Sequence, residues 1–345
     1  MPKLAVGVIG TGSIGNVHLT GYAAEGKSVE IQAICDIRRE RLDEMGEKFK
    51  VPAQHRYRDY RKMLASEQLD VTSICLPNSL HFDAAAESIR HGLHTLIEKP
   101  MVLTMEQARA LKKLHAKHPV KVMVSFSHRF MPQNIRAKKL IEQGKLGKPF
   151  MIRVRYAHGG PYPGWAQTDW FYKKKMAGGG ALLDMGIHAI DMCQYMIGPI
   201  KSISAQLKTL RKKIEVDDNA VMLLDFGPEN KALGYIECGW TSGPGFAGVE
   251  IYGDKGTLIL DIFKPGRWIR GVNRPDGAVE TLDEQITTGQ EKTHWPLEME
   301  SWVKHLLGKK TPTYIPGLEE GASSLAVALA AIESSKTGKR VHVRG

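Results

Sequence analysis

A glycine-rich turn near the start of the chain has the spacing of a dinucleotide-binding loop. Gly10, Gly12 and Gly15 form GxGxxG between a short apolar run and an amphipathic run. Gly10 allows the tight turn, Gly12 leaves room for a pyrophosphate, and Gly15 lets helix and strand pack closely. The first N–H groups of the helix, from Ser13 and Ile14, are expected to face the phosphates. A turn that binds nothing and a methyltransferase-type loop are the alternatives.

The residues after the second predicted strand bear on which dinucleotide binds. Asp36 closes that strand about 20 residues after the turn, where a carboxylate accepts hydrogen bonds from both ribose hydroxyls. The same carboxylate repels a 2′-phosphate. Arg38 and Arg39 oppose this preference, because either guanidinium can hold a 2′-phosphate if the loop bends. The sequence predicts NAD as the cofactor, with NADP as the alternative.

A lysine stands at the end of another predicted strand. Glu98-Lys99-Pro100 follows the apolar run 94–97, and ligands of a doubly wound sheet bind outside the carboxyl ends of its strands. Pro100 restricts Lys99 to an extended backbone. We expect the Lys99 ammonium to donate to the reacting oxygen of a substrate. The alternative is a surface lysine beside a proline that ends the strand.

Three polar side chains recur at helical spacing in an otherwise apolar stretch. Asp184, His188 and Asp191 follow the run Gly178-Gly179-Gly180, and offsets of four and three place them on one face of a helix. A neutral imidazole held by a carboxylate is a suitable base for alcohol oxidation. We therefore expect His188 to accept the proton, Asp184 to orient it, and the glycines to let a ligand approach. A polar stripe facing water is one alternative, and a metal site lacks a further ligand at suitable spacing.

The segment 156–180, before that helix, is rich in aromatic side chains. Rings stack well on sugar faces, so we assign His158, Trp165 and Trp170 to the substrate together with the three catalytic candidates. About half of the rings in this segment are expected only to pack the loop. Rings combined with several hydrogen-bonding groups favour a neutral cyclic polyol or pyranose over a hexuronate.

These motifs together resemble the glucose-fructose oxidoreductase, inositol dehydrogenase and MocA family of NAD(P)-dependent sugar oxidoreductases, over nearly the whole chain. The resemblance implies that Lys99, Asp184 and His188 form the catalytic group. It also implies cofactor contacts from the turn 77–81 and places the segment 128–130 directly after the nucleotide domain. The residues assigned to the cofactor are Gly10, Gly12, Ser13, Ile14, Gly15, Asp36, Arg38, Pro77, Asn78, His81, Glu98, Lys99 and Arg129.

Alternating β-branched and amphipathic runs must position the first group of motifs. Continuous apolar strands indicate burial on both faces, so residues 1–125 are predicted to form a doubly wound parallel, or Rossmann, sheet that binds the dinucleotide. The predicted strands are LAVGVIG, VEIQAICD, VTSICLP, HTLIEKP and KVMVS, with helices near 14–25, 38–49, 79–91 and 104–117.

Residues 126–345 are predicted to form an α+β domain for substrate binding and oligomerisation, with a large, mostly antiparallel sheet. Turn signals such as GPEN, GDKG and RPDG separate its strands. Whether the closing helices, 297–336, pack back on the first domain is left open. The predicted elements are helices near 132–143 and 181–197, and strands near 149–156, 200–208, 219–226, 232–240, 247–252, 257–262 and 267–272.

Composition and charge exclude several classes of protein. The net charge of +11 comes from short, scattered basic runs, which argues against a nucleic-acid partner. The four cysteines lie far apart without a CxxC, as expected for reduced core residues of a cytoplasmic protein without structural zinc. The apolar N-terminal run leads straight into the glycine turn and is expected to be a strand and not a signal peptide. No stretch is expected to span a membrane.

The sequence thus predicts an NAD-dependent enzyme that oxidises a secondary hydroxyl of a cyclic polyol, sugar or sugar derivative. One alternative uses bound NAD for a transient oxidation followed by elimination, as in cleavage of a glycosidic bond. Another is a regulator that binds a dinucleotide or sugar without chemistry. The small-molecule substrate is the expected partner, and a dimer or tetramer of the same chain is the expected assembly.

Overall fold

The computed structural model describes residues 2–243, 245–261, 264–273 and 277–344. Most of the RPDG turn signal therefore lies outside the described residues. The strands are β1 (Leu4–Ile9), β2 (Val29–Cys35), β3 (Arg56–Tyr57), β4 (Val71–Ile74), β5 (His94–Glu98), β6 (Val122–Ser125), β7 (Pro149–Ala157), β8 (Ser202–Lys208), β9 (Asn219–Asp225), β10 (Leu233–Gly239), β11 (Phe246–Gly253), β12 (Gly256–Asp261), β13 (Arg267–Asn273), β14 (Val279–Gln285) and β15 (Val341–His342).

Helices connect the strands in both halves of the chain. A π-helix, Leu182–Gly186, runs directly into one of them, and short 3-10 turns occupy 78–80 and 127–130. The α-helices are α1 (Ser13–Ala24), α2 (Arg39–Phe49), α3 (Tyr60–Ser66), α4 (His81–Arg90), α5 (Met105–His115), α6 (Pro132–Glu142), α7 (Lys174–Ala177), α8 (Ile187–Met196), α9 (Gly227–Asn230), α10 (His294–Leu306) and α11 (Leu318–Thr337).

The first six strands form one parallel sheet in the order β3-β2-β1-β4-β5-β6. β1 and β4 lie side by side at the centre, where the strand order reverses, and this is the point at which doubly wound sheets bind their ligands. All four residues of β4 are buried, as expected for a strand covered on both faces. The predicted Rossmann sheet is confirmed.

The remaining nine strands form a second, mixed sheet in the order β14-β13-β12-β11-β7-β10-β9-β8-β15. Its neighbours are antiparallel except for β7 and β10, which run parallel. Inward residues of β9 and β7 are buried in alternation with exposed or half-buried ones, so one face of the sheet packs on the core. The predicted mostly antiparallel sheet is confirmed.

The chain divides into two units that do not follow the linear sequence. The loop 161–178 groups with the first sheet, although it follows β7 of the second. The first unit comprises the residues up to 126, 161–178 and 295–325, and the second comprises 127–160, 179–294 and the residues from 326 onward. The boundary predicted at 125 and 126 stays a prediction. Among the described residues, no helix is long and apolar enough to cross a membrane.

Candidate active site

In the first unit, the glycines of the turn after β1 differ in what surrounds them. Gly10 has a φ of 92°, in the left-handed region, and a Cβ there would overlap the Cys75 carbonyl oxygen. A Cβ on Gly15 would overlap the Gly10 oxygen, so α1 starts in direct backbone contact with the turn. A Cβ on Gly12 would meet only the Arg38 guanidinium, at 4.0 Å. Backbone atoms therefore pack against the turn at Gly10 and Gly15. The turn is open at Gly12, where a phosphate would approach.

Asp36 lies directly beside this turn, at the carboxyl end of β2. Its Oδ2 accepts hydrogen bonds from the Thr11 backbone N–H at 2.9 Å and from the Thr11 hydroxyl at 3.0 Å. Its Oδ1 accepts from the Arg38 backbone N–H at 3.0 Å and lies 3.4 Å from Arg38 Nε. Arg41 fixes the same turn from α2, since its Nε donates to the Thr11 carbonyl at 3.1 Å. Asp36 is thereby held at the place where the ribose of a dinucleotide is recognised.

The two arginines after Asp36 are not equivalent. Arg38 contacts Asp36, lies nearest to Gly12 and donates from Nη1 to the Gln167 side chain at 3.2 Å. Arg39 instead pairs with Asp43 on the exposed face of α2. Only Arg38 is positioned to interact with a group bound at the turn.

The loop 161–178 contacts three of the predicted cofactor residues. The Ser13 hydroxyl donates to the Trp165 carbonyl at 2.7 Å, and Asn78 Nδ2 donates to the Ala177 carbonyl at 2.9 Å. Arg38 completes the set through Gln167. The sequence placed this loop with the substrate-binding half. In the structure it lies over the turns of the first unit, because two of its carbonyls and the Gln167 side chain accept hydrogen bonds from them.

Two predicted cofactor residues are buried in internal hydrogen bonds. His81 has no exposed surface, and its ring nitrogens lie 2.8 Å from the carbonyl oxygens of Leu76 and Pro100, so it ties together the turns after β4 and β5. Glu98 accepts from the Lys99 backbone N–H at 3.1 Å and lies 3.2 Å from His18 Nε2. Direct cofactor contacts by His81 and Glu98 stay predictions. The internal hydrogen bonds give both residues a structural role.

Lys99 follows β5 at the carboxyl edge of the first sheet, where the sequence predicts it. The Lys99–Pro100 peptide bond is cis, and the lysine is half-buried. Pro77, in the turn after β4, and Ile14, in the first turn of α1, are also half-buried. All three residues follow the carboxyl ends of neighbouring strands, the edge at which doubly wound sheets bind their ligands.

In the second unit, the helix that carries Asp184 and His188 begins as a π-helix, a form often found at functional sites. Asp217 holds its start, since its carboxylate accepts from the Gly180 and Leu182 backbone N–H groups, both at 2.8 Å. Burial raises the pKa of Asp217, against the effect of these two hydrogen bonds. A Cβ on Gly180 would overlap the Asp217 carbonyl oxygen. The expectation that this glycine leaves room for a ligand is wrong, because the Asp217 backbone fills the space.

Asp184 is buried and receives two ring N–H groups. Trp240 Nε1 donates to Asp184 Oδ2 at 2.9 Å, and His158 Nε2 lies 3.5 Å from the same oxygen. The Gly160 backbone N–H donates to His158 Nδ1 at 2.9 Å, so in neutral His158 the proton is on Nε2 and faces Asp184. Of the predicted substrate residues, the structure thus brings His158 and Asp184 together.

His188 is 6% exposed and lies against the ring of His128, with centroids 4.2 Å apart and planes 17° from parallel. One helical turn later, Asp191 pairs with Arg129, whose Nε and Nη2 donate to its two oxygens at 2.7 and 2.6 Å. A cofactor contact by Arg129 stays a prediction, and this buried ion pair anchors the 127–130 turn to α8. Among the described residues, no three His, Cys, Asp or Glu side chains are arranged to hold a metal ion.

The two predicted substrate tryptophans belong to the first unit. Trp170 stacks on Phe171 with centroids 3.8 Å apart, and Trp165 meets the same ring edge-on at 5.1 Å. Trp165 is 49% exposed. Their contact with a substrate stays a prediction.

Several residues that shape the site were not predicted from the sequence. Asp217 lies in the loop before β9, Trp240 directly follows β10, and His128 lies in the turn after β6. No local pattern therefore marks their contacts with residues 180–188. Thr11 occupies the first variable position of GxGxxG and supplies a hydroxyl to Asp36. The one available signal was the segment His128-Arg129-Phe130. It predicted a cofactor contact by Arg129 and no contact with α8.

The open backbone at Gly12, the start of α1 and the fixed Asp36 carboxylate fit a dinucleotide in the first unit. Gly12 offers space for the pyrophosphate, and the carboxylate of Asp36, directly after β2, is the type of group that recognises the ribose in such folds. The residues present thus suit the cofactor that the motif predicts.

Comparison with known proteins identifies both halves of the chain. Residues 4–126 match the model described as an oxidoreductase family with an NAD-binding Rossmann fold, and residues 135–259 match the GFO/IDH/MocA C-terminal domain. D-glucoside 3-dehydrogenase of Escherichia coli is 26% identical over 99% of this chain and 97% of its own length. Myo-inositol 2-dehydrogenase of Thermotoga maritima is 26% identical over 98% of each chain.

Solved structures share the fold over the full length. A levoglucosan dehydrogenase in complex with NADH and levoglucosan has a TM-score of 0.89 at 23% identity, covering 100% of both chains. The WlbA dehydrogenase of Bordetella pertussis, in complex with NADH and UDP-GlcNAcA, has a TM-score of 0.87 at 25% identity and covers 99% of this chain and 98% of its own. The chain therefore belongs to the GFO/IDH/MocA family of oxidoreductases, as an NAD(P)-dependent enzyme with a Rossmann nucleotide-binding domain.

Proposed function

We propose that this enzyme uses NAD to oxidise a secondary hydroxyl of a cyclic polyol, a sugar or a sugar derivative. The observation that carries the proposal is the buried group around His188 and Asp184 at the start of α8, in a chain whose first unit has an open dinucleotide turn. The names of the relatives support this substrate class, since they include glucoside, inositol and levoglucosan dehydrogenases.

The chain's own residues supply proton transfer and charge stabilisation. A dinucleotide bound at the first unit would supply the acceptor for the hydride of the carbinol carbon. His188 accepts the hydroxyl proton, and Lys99 donates a hydrogen bond to the oxygen as negative charge develops on it. Asp184, held by Trp240 and His158, binds a neighbouring hydroxyl of the substrate and orients His188.

Replacement of His188 and Lys99 tests these roles. His188→Ala and Lys99→Ala should each lower kcat by roughly a hundredfold, the usual loss for a general base or an oxyanion donor. The affinity for NAD should change far less. His91→Ala and Lys117→Ala, on exposed surface, are matched controls. A near-normal kcat in His188→Ala would show that another group accepts the proton.

The substrate is to be found by measuring NAD reduction with myo-inositol, levoglucosan, methyl glucosides, aldoses and uronates. We expect neutral ring compounds to have the higher kcat/KM. A preference for the carboxylated member of a matched pair above about tenfold, or 1.4 kcal/mol, would reverse that expectation. No net NAD reduction, with cofactor found bound to the purified protein, would support the alternative of transient oxidation followed by elimination.

We further propose that NAD binds more tightly than NADP, because the Asp36 carboxylate at the end of β2 would repel a 2′-phosphate. Arg38 is the opposing group. Its ion pair with Asp36 balances the charge of the guanidinium, and Gln167 accepts a hydrogen bond from it. Titration of both cofactors against the unmodified protein and Asp36→Ala tests this. Equal or tighter binding of NADP by the unmodified protein would mean that Arg38 decides the specificity.

The outward face of the nine-stranded sheet supports assembly into a homo-oligomer. Val221 and Leu223 on β9 and Leu233 on β10 are 51%, 62% and 56% exposed. Exposed apolar side chains clustered on one sheet face are typical of an interface. We expect a dimer or tetramer by light scattering and a monomer for Leu223→Glu combined with Leu233→Glu. An unmodified protein that is monomeric at micromolar concentration would contradict this.

A further inference from the structure

The ring that packs on the face of His188 belongs to His128, a residue outside the catalytic group. The two imidazoles are nearly parallel, at 17°, with their centroids 4.2 Å apart. Two nearly parallel rings in contact bury each other's faces, and each restricts the motion of the other. The rotation of His188 about its side-chain bonds is therefore limited by His128 on one face.

His128 is itself held on several sides. The ring of Tyr156, on β7, meets it edge-on at 4.6 Å, and the ring of His294 meets it edge-on at 5.8 Å. The His128 carbonyl accepts from Asn134 Nδ2 at 2.8 Å, which fixes the backbone of the 127–130 turn to α6. Burial lowers the pKa of His294 to about 4, so this neighbour is neutral at physiological pH and brings no charge against the stack.

The 127–130 turn and α8 are also joined at a second point. Arg129, the next residue along the turn, pairs through two hydrogen bonds with Asp191, one helical turn after His188. Both residues of this ion pair are at most 3% exposed. His128 and Arg129, consecutive residues of the 127–130 turn, thus contact His188 and Asp191 of α8. The two contacts together fix the distance and the angle at which His128 meets His188.

We propose that His128 is a positioning residue, which holds the imidazole of His188 in the plane that proton transfer requires. This rests on the proposed function, because it presumes that His188 accepts the substrate proton. The ring face of residue 128 does the positioning, so a phenyl ring can replace the imidazole whereas a methyl group cannot. Small misplacement of a catalytic group costs up to about a hundredfold in rate, without any loss of substrate contacts.

The experiment compares His128→Ala and His128→Phe with the unmodified enzyme, with His91→Ala as the control. The steady-state assay uses NAD and the compound of the panel above that is oxidised fastest. His128→Ala should lower kcat by about ten- to a hundredfold and leave the KM for NAD and for the compound within about threefold. His128→Phe should restore kcat to within about threefold of the unmodified enzyme.

A second measurement follows His188 directly and needs no substrate. In protein labelled with ¹³C-histidine, the Hε1 resonance of His188 is identified by its loss in His188→Gln. Ring-current shielding from residue 128 should persist in His128→Phe and disappear in His128→Ala. An unchanged kcat in His128→Ala, or an equal loss in both variants, would overturn the proposal, as would an unchanged His188 resonance in His128→Ala.

The outcomes also separate this proposal from the proposed function. If His188→Gln keeps its kcat, the catalytic assignment of His188 fails and the positioning role fails with it. If His188→Gln loses activity while His128→Ala does not, only the role of His128 fails. If no compound of the panel is oxidised, net oxidation of this substrate class fails, and the His188 resonance alone decides whether the ring is held by the stack.

Discussion

Glu298, a fully buried carboxyl of α10, gives a sharp prediction about how stability depends on pH. It is 1% exposed, and the Ser125 hydroxyl donates to its Oε1 at 2.9 Å. Burial, together with the nearby charge of Glu98, raises the pKa of Glu298 well above its usual range. Burial would also raise the pKa of Glu98, but the hydrogen bond and charge of His18 outweigh it and lower that pKa. The pair thus consists of a neutral Glu298 and an ionised Glu98.

The consequence for stability follows from proton binding. In the unfolded chain Glu298 loses its proton near pH 4.3, whereas in the folded protein it keeps the proton to higher pH. Between these two pKa values the folded state binds one proton more than the unfolded state, so raising the pH favours unfolding by about 1.4 kcal/mol per pH unit. Glu298→Gln has nearly the same shape and no proton to lose. Its stability relative to the unmodified protein should therefore rise by about 1.4 kcal/mol per pH unit above pH 5, until Glu298 ionises in the folded protein.

The measurement is urea unfolding at pH 5, 6, 7 and 8, followed by tryptophan fluorescence. The free energy of unfolding of Glu298→Gln should approach that of the unmodified protein at pH 5 and exceed it increasingly toward pH 8. Glu40→Gln, at an exposed position of α2, is the control and should run parallel to the unmodified protein. Parallel curves for Glu298→Gln as well would show that Glu298 ionises normally in the folded state, and the reasoning would be refuted.

Two further predictions concern the contacts that support the π-helix Leu182–Gly186, which leads into α8. Gly180→Ala should lower the free energy of unfolding by about 1–3 kcal/mol, measured by urea unfolding, because its Cβ would overlap the Asp217 oxygen. Gly243→Ala, whose Cβ would meet no atom within 4 Å, is the matched control, and equal stabilities for the two variants would contradict the packing argument. Trp240→Phe removes the N–H that binds buried Asp184 and should cost about 1–3 kcal/mol by the same method. A loss below about 0.5 kcal/mol would mean that Asp184 is satisfied without it.

Most of the fold could be predicted because its pattern is local. The parallel sheet follows from apolar runs alternating with amphipathic ones, and the helix predicted near 132–143 is present as α6. β14 was not predicted, since its residues are mostly exposed and polar and carry no apolar periodicity. β3 and β15, with two residues each, are too short to leave any pattern.

The candidate site could be predicted only where chemistry and spacing coincide. Asp36 follows the glycine turn at the expected place, and the structure fixes it there through Thr11. The roles of Asp217 and His128 depend on contacts between residues far apart in the chain, which spacing does not encode. Gly180 shows the limit most clearly, because a glycine that admits the Asp217 backbone looks the same in the sequence as one that admits a ligand.

The division of the chain into interleaved segments has a consequence for biosynthesis. The chain passes between the two units five times, and the first unit receives its last segment only at residues 295–325. That segment brings Trp302, which has no exposed surface and whose Nε1 donates to the hydroxyl of buried Tyr22 at 3.1 Å. When the strands of the first sheet have just left the ribosome, Trp302 has not yet been made. The core of the first unit therefore still lacks this buried ring. We expect the first unit to reach its final stability only after residues 295–325 have been translated, although its own strands are made first.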